Sequence, residues 1–488
     1  MKLKSKKIII FIFCIIYTMI LNACSLTDFV ASWGTDNSSS SVSDTSSEET
    51  FAPVETAAET TSDYFLGLAD GGEYIEASGS PKIEAKAITS IDGIHKEVVS
   101  DGITSSKEDT SGFRIFKGGK LSLSKVQIIT SSSTSSELES RFYGLNSAVL
   151  CEPRSDVSID KSEISTSGKG AAGIFAYGNN AVVTTTGTSI KTTGASSKGL
   201  AVSYKGSIFA SSPDIITGGE QSPCIYVGRN GGTINVVGGI MTSTGASSPA
   251  LYSCGNLSIT GTKINTEVSE CAVVEGKSSL MLTDAYLTSG GTNGIKLFQS
   301  NSGETVPGKT VLNMVSGSLT TKTGAMFYVT NTNAEIHLQF VKLENGGTLL
   351  SSVSDKWGKT GENGGNAYLF ADTQTLSGDV YCDNSSTVDF KIMNGSNYTG
   401  AVNKENTGKD VRVTIDAASK WNMTADSYVS CITNNLEGLK NIKDNGFNIY
   451  YDPNHSGNDW LDGRSLSLQD GGALIPIKTE NTKAETTT

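Results

Sequence analysis

The sequence predicts an all-β chain wound as a right-handed parallel β-helix, about a dozen rungs of about 25 residues each. Three observations predict it. Short aliphatic segments recur in one phase through eight repeats. Glycine stands at 53 of 488 residues, with Ser and Thr in every stretch, while apolar residues make up only 37%. No amphipathic run of helical period and useful length occurs, so helical repeats are excluded.

The repeat is read from three columns. The first is Val149, Ile174, Leu200, Ile225, Leu251, Val273, Ile295 and Met326, each preceded by a small residue (Ala148, Gly173, Gly199, Cys224, Ala250, Ala272, Gly294, Ala325). The second is Ile128, Ile164, Ile190, Ile215, Ile240, Ile264, Leu287 and Leu319. Seven positions before it runs the third, Leu121, Val157, Val183, Ile208, Thr233, Leu257, Leu280 and Leu312. The neighbours preceding the second column, from Gln127 and Glu163 to Tyr286 and Ser318, are not aliphatic, which is the alternation of a half-buried strand. A propeller blade needs about 40–45 residues, and the leucine-rich pattern is missing. Rungs stacked about 4.8 Å apart give a rod of about 60 Å whose core is a thin aliphatic column.

The elements follow in chain order. Residues 1–23 have the plan of a signal peptide: Lys2, Lys4, Lys6 and Lys7, then a short apolar stretch from Ile8 to Ile20. Leu21-Asn22-Ala23-Cys24 resembles a bacterial lipobox, which makes Cys24 the expected site of acylation and of anchoring to the membrane. The expected location is therefore the extracytoplasmic side of the cell membrane. Removing a leader of +4 from a chain of −12 leaves −16, half of it in the eight carboxylates of residues 24–63. That Ser/Thr-rich segment has no Lys or Arg and reads as a disordered tether. The helix is expected over 64–431, a C-terminal cap over 432–477 and a polar tail over 478–488. Longer steps mark inserted loops at 131–146, at 299–309 and near Trp357.

Composition narrows the chemistry. An acidic chain without basic clusters does not fit a nucleic-acid partner. Three histidines and the lack of CxxC spacing leave no pattern for a zinc site. Cys151 and Cys271 have inward parity and read as core fillers, whereas Cys224 and Cys254 are expected to face outward, too far apart laterally to be bridged. No disulfide is expected in the repeat.

The strings Phe142-Tyr143-Gly144-Leu145-Asn146, Phe327-Tyr328-Val329-Thr330-Asn331-Thr332 and Trp421-Asn422-Met423-Thr424-Ala425-Asp426-Ser427-Tyr428 resemble a family of exported bacterial adhesin-like β-helix proteins. The likeness spans most of residues 70–475 and implies fold and surface location. More loosely, the pattern is similar to the pectate-lyase-like superfamily and its carbohydrate-binding relatives. Pectin-cleaving members of that fold use clustered Asp residues with a His, or Asp-bound calcium with an Arg or Lys base. This chain has no Asp-Asp pair and no His-Gly, so no catalytic residue is assigned and no cofactor is required.

Candidate sites come from register. Glu163 and Asp214 share an outward column two rungs apart with Ser189 between, about 10 Å between backbones, a separation compatible with an inverting glycosidase pair. Asp156, Asp160 and Glu163 supply oxygen ligands for a calcium ion. The strongest signal lies beside the first column. Phe175, Tyr226, Tyr252 and Phe327 follow inward aliphatics, and Tyr177 and Phe298 stand two positions further along their strands. Together they form an aromatic ridge suited to sugar rings or a partner surface, unless the inserted loops fold over it. The expected function is surface-anchored binding or adhesion to a glycan or another surface. A polysaccharide lyase or hydrolase and a structural spacer are the alternatives.

Overall fold

The computed structural model describes residues 80–344 and 347–478. The signal segment, Cys24, the tether and all but the first residue of the tail lie outside the described residues. The described chain is a parallel β-solenoid of about 16 turns. Successive turns place one strand in each of three sheets. The first has 12 strands, from Lys86–Asp92 to Asp379–Cys382. The second has 14, from His95–Val99 to Cys431–Asn434, and the third has 10, from Gly102–Ser105 to Lys342–Glu344. The coil exceeds the expected dozen rungs because it runs on where the sequence pattern is faint. Val380 bridges Val402, and beyond residue 431 the pairs Trp421↔Ile442, Tyr428↔Tyr450 and Ile449↔Leu474 are still parallel. The antiparallel pairing of Leu466–Ser467 with Ala473–Pro476 ends it.

Alternation builds the second and third sheets. In Asp156–Asp160, Val157 and Ile159 are buried while Asp156 and Ser158 face solvent, and most strands of these sheets repeat that pattern. The stacked aliphatics form one continuous core. Burying each such side chain contributes about 1.5–3 kcal/mol.

The register corrects the columns at four places. Ile234 and Met241 take the places expected for Thr233 and Ile240, and Ile240 is 47% exposed. The turn between Val227 and Ile234 is one residue longer than that between Val202 and Ile208, and this shifts both strands. In the first sheet Leu251 pairs with Ala272 and Ile295 with Phe327, so Val273 and Met326 leave the first column.

The small residues before the first column mark a tight corner. A Cβ on Gly173 would lie 2.6 Å from Ile190 Cγ2, and one on Gly199 would lie 2.5 Å from both Ile215 Cγ2 and the Cys224 carbonyl oxygen. The corner faces the core, so Cys224 sits inside at 0% exposure and does not point outward as strand parity suggests. Cys151 and Cys271 are core fillers, and all six described cysteines are free and buried.

Serine has its own ladder at this corner. The Ser222 hydroxyl accepts the Ser197 N–H at 3.0 Å and donates to the Gly194 carbonyl at 3.0 Å. Ser248 repeats this with the Ser222 N–H at 2.8 Å and the Gly219 carbonyl at 2.9 Å. Each hydroxyl satisfies the buried backbone of the preceding turn, where leaving a group unmade costs about 1–3 kcal/mol.

Candidate ligand-binding face

The outward column of the first sheet runs Leu150, Phe175, Ala201, Tyr226, Tyr252, Val273, Lys296 and Tyr328 in register. Tyr177 and Phe298 stand beside it on the same face. Phe327 does not belong to this ridge. It pairs with Ile295 and enters the core, and Tyr328 takes the outward place.

The ridge is covered, which is the alternative the sequence left open. Phe175, Tyr226 and Phe298 are 0% exposed, Tyr252 1% and Tyr177 9%. The first insertion forms the short helix α1 (Glu137–Tyr143), capped by the Ser136 hydroxyl on the Glu139 N–H and ended by left-handed Gly144. It lays Phe142 and Tyr143 on the ridge. Tyr143 stacks on Tyr204 at 5.2 Å and packs T-shaped with Tyr177 at 5.6 Å. The loop bearing Trp357 covers the other end, with its ring 5.2 Å from that of Phe298.

Beneath the cover lies a buried ionisable cluster. Arg141 of α1 pairs with Glu304 of the second insertion at 3.6 Å, with side-chain exposures of 7% and 1%. The Arg229 guanidinium lies 4.8 Å over the Phe142 ring. The Glu275 carboxylate accepts hydrogen bonds from the Tyr252 hydroxyl and from the hydroxyl and N–H of Ser300. Lys198 is 1% exposed, and its ammonium donates to the Ser196 carbonyl at 2.6 Å. Burial, reinforced by Arg141, lowers Lys198 to about 7. Burial likewise raises Glu304, and it lifts the phenols of Tyr226 and Tyr252 well above their usual range, helped by Glu304 and Glu275 respectively.

The ridge opens at its N-terminal end into a cleft of about 300 Å³, lined by Arg114, Glu139, Tyr143, Glu152, Tyr177 and the coil from Pro81 to Ala85. Arg114 Nε donates to Glu152 Oε1 at 2.5 Å, and its Nη1 reaches Glu84 at 3.3 Å and the Ala85 carbonyl at 2.8 Å. The Lys82 N–H donates to Glu139 Oε2 at 3.0 Å. Aromatic faces, two buried carboxylates and a guanidinium therefore converge on one concavity, the composition of a site for a small polar ligand with an apolar face. Sequence reasoning placed only Tyr177 here. Of the rest, Glu139 and Tyr143 lie in the first insertion, whose unusual length was the signal available, and Arg114 and Glu152 carried none.

The other candidates are dispersed. Glu163, Ser189 and Asp214 are in register on neighbouring strands of the third sheet, all exposed on its outer face. Asp156 and Asp160 stand at opposite ends of one five-residue strand, and Asp156 meets Lys120 at 3.3 Å. Among the described residues no group of three or more potential metal-ligating side chains forms, so Asp156, Asp160 and Glu163 do not gather into a calcium site. Compared with known protein families and with curated proteins, the chain matches neither a family model nor a curated sequence.

Proposed function

We propose that the protein is a lipid-anchored binding protein of the cell surface, whose acidic tether carries a β-solenoid that recognises a glycan. The observation that carries this reading is the cleft at the open end of the aromatic ridge. A sugar presents an apolar ring face and a rim of hydroxyls. The Tyr177 ring at the mouth of the cleft suits the first, and the carboxylates of Glu139 and Glu152 suit the second. The Arg114–Glu152 pair fixes the orientation of one carboxylate before any ligand arrives, which reduces the ordering cost of binding.

Anchoring is tested by fractionation: Cys24→Ala releases the protein from membranes if Cys24 is acylated. Recognition is tested by a glycan array probed with the full chain in detergent. Glu152→Gln keeps side-chain volume while removing a charge, and Tyr177→Leu removes the aromatic ring. Glu152→Gln is expected to weaken binding roughly ten- to a hundredfold, since hydrogen bonds to charged groups contribute about 1.5–3 kcal/mol, and Tyr177→Leu about tenfold, since an aromatic contact contributes about 0.5–1.5 kcal/mol beyond the area it buries. Array binding unchanged by both substitutions, or no binding to any glycan, refutes the cleft as the site. Shortening of the bound glycan moves the protein to the lyase or hydrolase class.

A further inference from the structure

The outer face of the second sheet carries a pattern that the cleft does not use. Its central column passes through in-register residues of successive turns. Three positions are apolar: Phe209, Met281 and Phe370. Between them stand Asn235, Ser258, Asn313 and His337. Phe209 is 43% exposed and the other six are half-buried. None of the seven side chains is Asp, Glu, Lys or Arg, although the chain is acidic overall. Burial also holds His337 below its ordinary range.

Towards the C-terminal end the strip widens into an aromatic platform. Tyr368 and Phe370 lie on one strand with ring centroids 6.4 Å apart and planes within 11°. The His337 ring is 5.8 Å from each. The bordering charges are engaged nearby. Lys309 pairs with Glu335 at 2.5 Å, Arg412 with Asp410 at 2.7 Å, and the Lys391 ammonium lies 5.1 Å over Tyr368.

We propose that this strip is a second carbohydrate site, taking an extended neutral polysaccharide laid along the solenoid axis. Strand spacing of about 4.8 Å sets a repeat close to the advance of one sugar ring in an extended chain. The apolar side chains meet ring faces, while the amides of Asn235 and Asn313 and the His337 ring meet hydroxyls. Six steps from Phe209 to Phe370 span about 29 Å, long enough for several sugars. The seven positions carry no Lys or Arg, and Lys391, the next in register after Phe370, lies over the Tyr368 ring, so an anionic chain meets a cation only at one end of the strip. This site shares a ligand class with the cleft and no residue.

The test is affinity electrophoresis of the full chain in detergent, through gels containing hydroxyethyl cellulose (neutral) or polygalacturonate (anionic). Retardation by the neutral polymer is expected. It should weaken about tenfold in Phe370→Ser and in Phe209→Ser, because each loses an aromatic contact with a ring face. Both side chains project from the solvent face, so an unchanged melting temperature establishes that the fold is intact. Equal retardation of variants and parent, retardation by polygalacturonate alone, or no retardation in either gel overturns the proposal. Glu152→Gln serves as the separating arm. Binding to the neutral polymer lost in Glu152→Gln but kept in Phe370→Ser overturns the strip and leaves the cleft standing, and the reverse result does the opposite.

Discussion

Replacing Arg141 by methionine keeps much of the side-chain bulk and removes one partner of the ion pair that joins the two insertions. The Glu304 carboxylate, 1% exposed and 3.6 Å from the guanidinium, then stays buried without its nearest counter-charge. At that separation and an effective dielectric of 20, the lost attraction is about 5 kcal/mol. Breaking a buried pair by removing one partner costs about 3–5 kcal/mol. Arg229 still faces Glu304, so the lower figure is expected. The loss falls on docking of the second insertion, not on the coil. Two amides report that docking: Asn230 N–H, which donates to the Glu304 carbonyl, and Lys277 N–H, which donates to the Val306 carbonyl. At about 1.4 kcal/mol per tenfold, their hydrogen-exchange protection falls at least about a hundredfold. Strand amides such as those of Val183 and Ile190 are unaffected. Adding Glu304→Gln to the methionine variant removes the stranded charge and restores most of the protection. Unchanged exchange at Asn230 and Lys277, or an equal loss in the double variant, refutes the view that this pair holds the cover on the ridge.

Lys198→Met tests the buried amine. With its folded-state value near 7 and an unfolded value near 10.5, the parent carries the full cost of a buried charge below pH 7 and sheds it as pH rises towards 10.5. Thermal melts should therefore show parent stability rising across that window by up to about 5 kcal/mol more than in the variant; parallel pH profiles would contradict the assignment. Gly199→Val drives a side chain into Ile215 and the Cys224 carbonyl, so its melting temperature should drop well below that of Ser189→Val on the exposed outer face of the third sheet. Equal melting temperatures for these two variants count against the tight corner.

Legibility in the sequence followed the number of buried faces. In the second and third sheets one face meets solvent, alternation survives, and the core columns could be read except after the lengthened turn before Ile234. In the first sheet both faces are buried, as in Ile174–Tyr177 and Ala272–Glu275, whose residues are all buried. Neighbouring apolar residues such as Met326 and Phe327 then carry no phase, and the column slipped by one. The uncharged strip of the second sheet was within reach, because Phe209 and Met281 directly follow core residues Ile208 and Leu280.

By itself the sequence determined a parallel β-solenoid with a thin aliphatic core, its period, the small residues at its corner and the aromatic content of one outer face. These are local properties, set by side-chain size and two-residue alternation in every turn. Only the tertiary structure decided what covers that face. Arg141 and Glu304 come from separate insertions, and their pairing depends on how the two segments fold back across the stacked strands. The same holds for His337, Tyr368 and Lys391, which become neighbours only through the stacking of turns of unequal length. Turn lengths and loop paths are weakly constrained by local chemistry, since most residues that keep a loop solvated serve equally well.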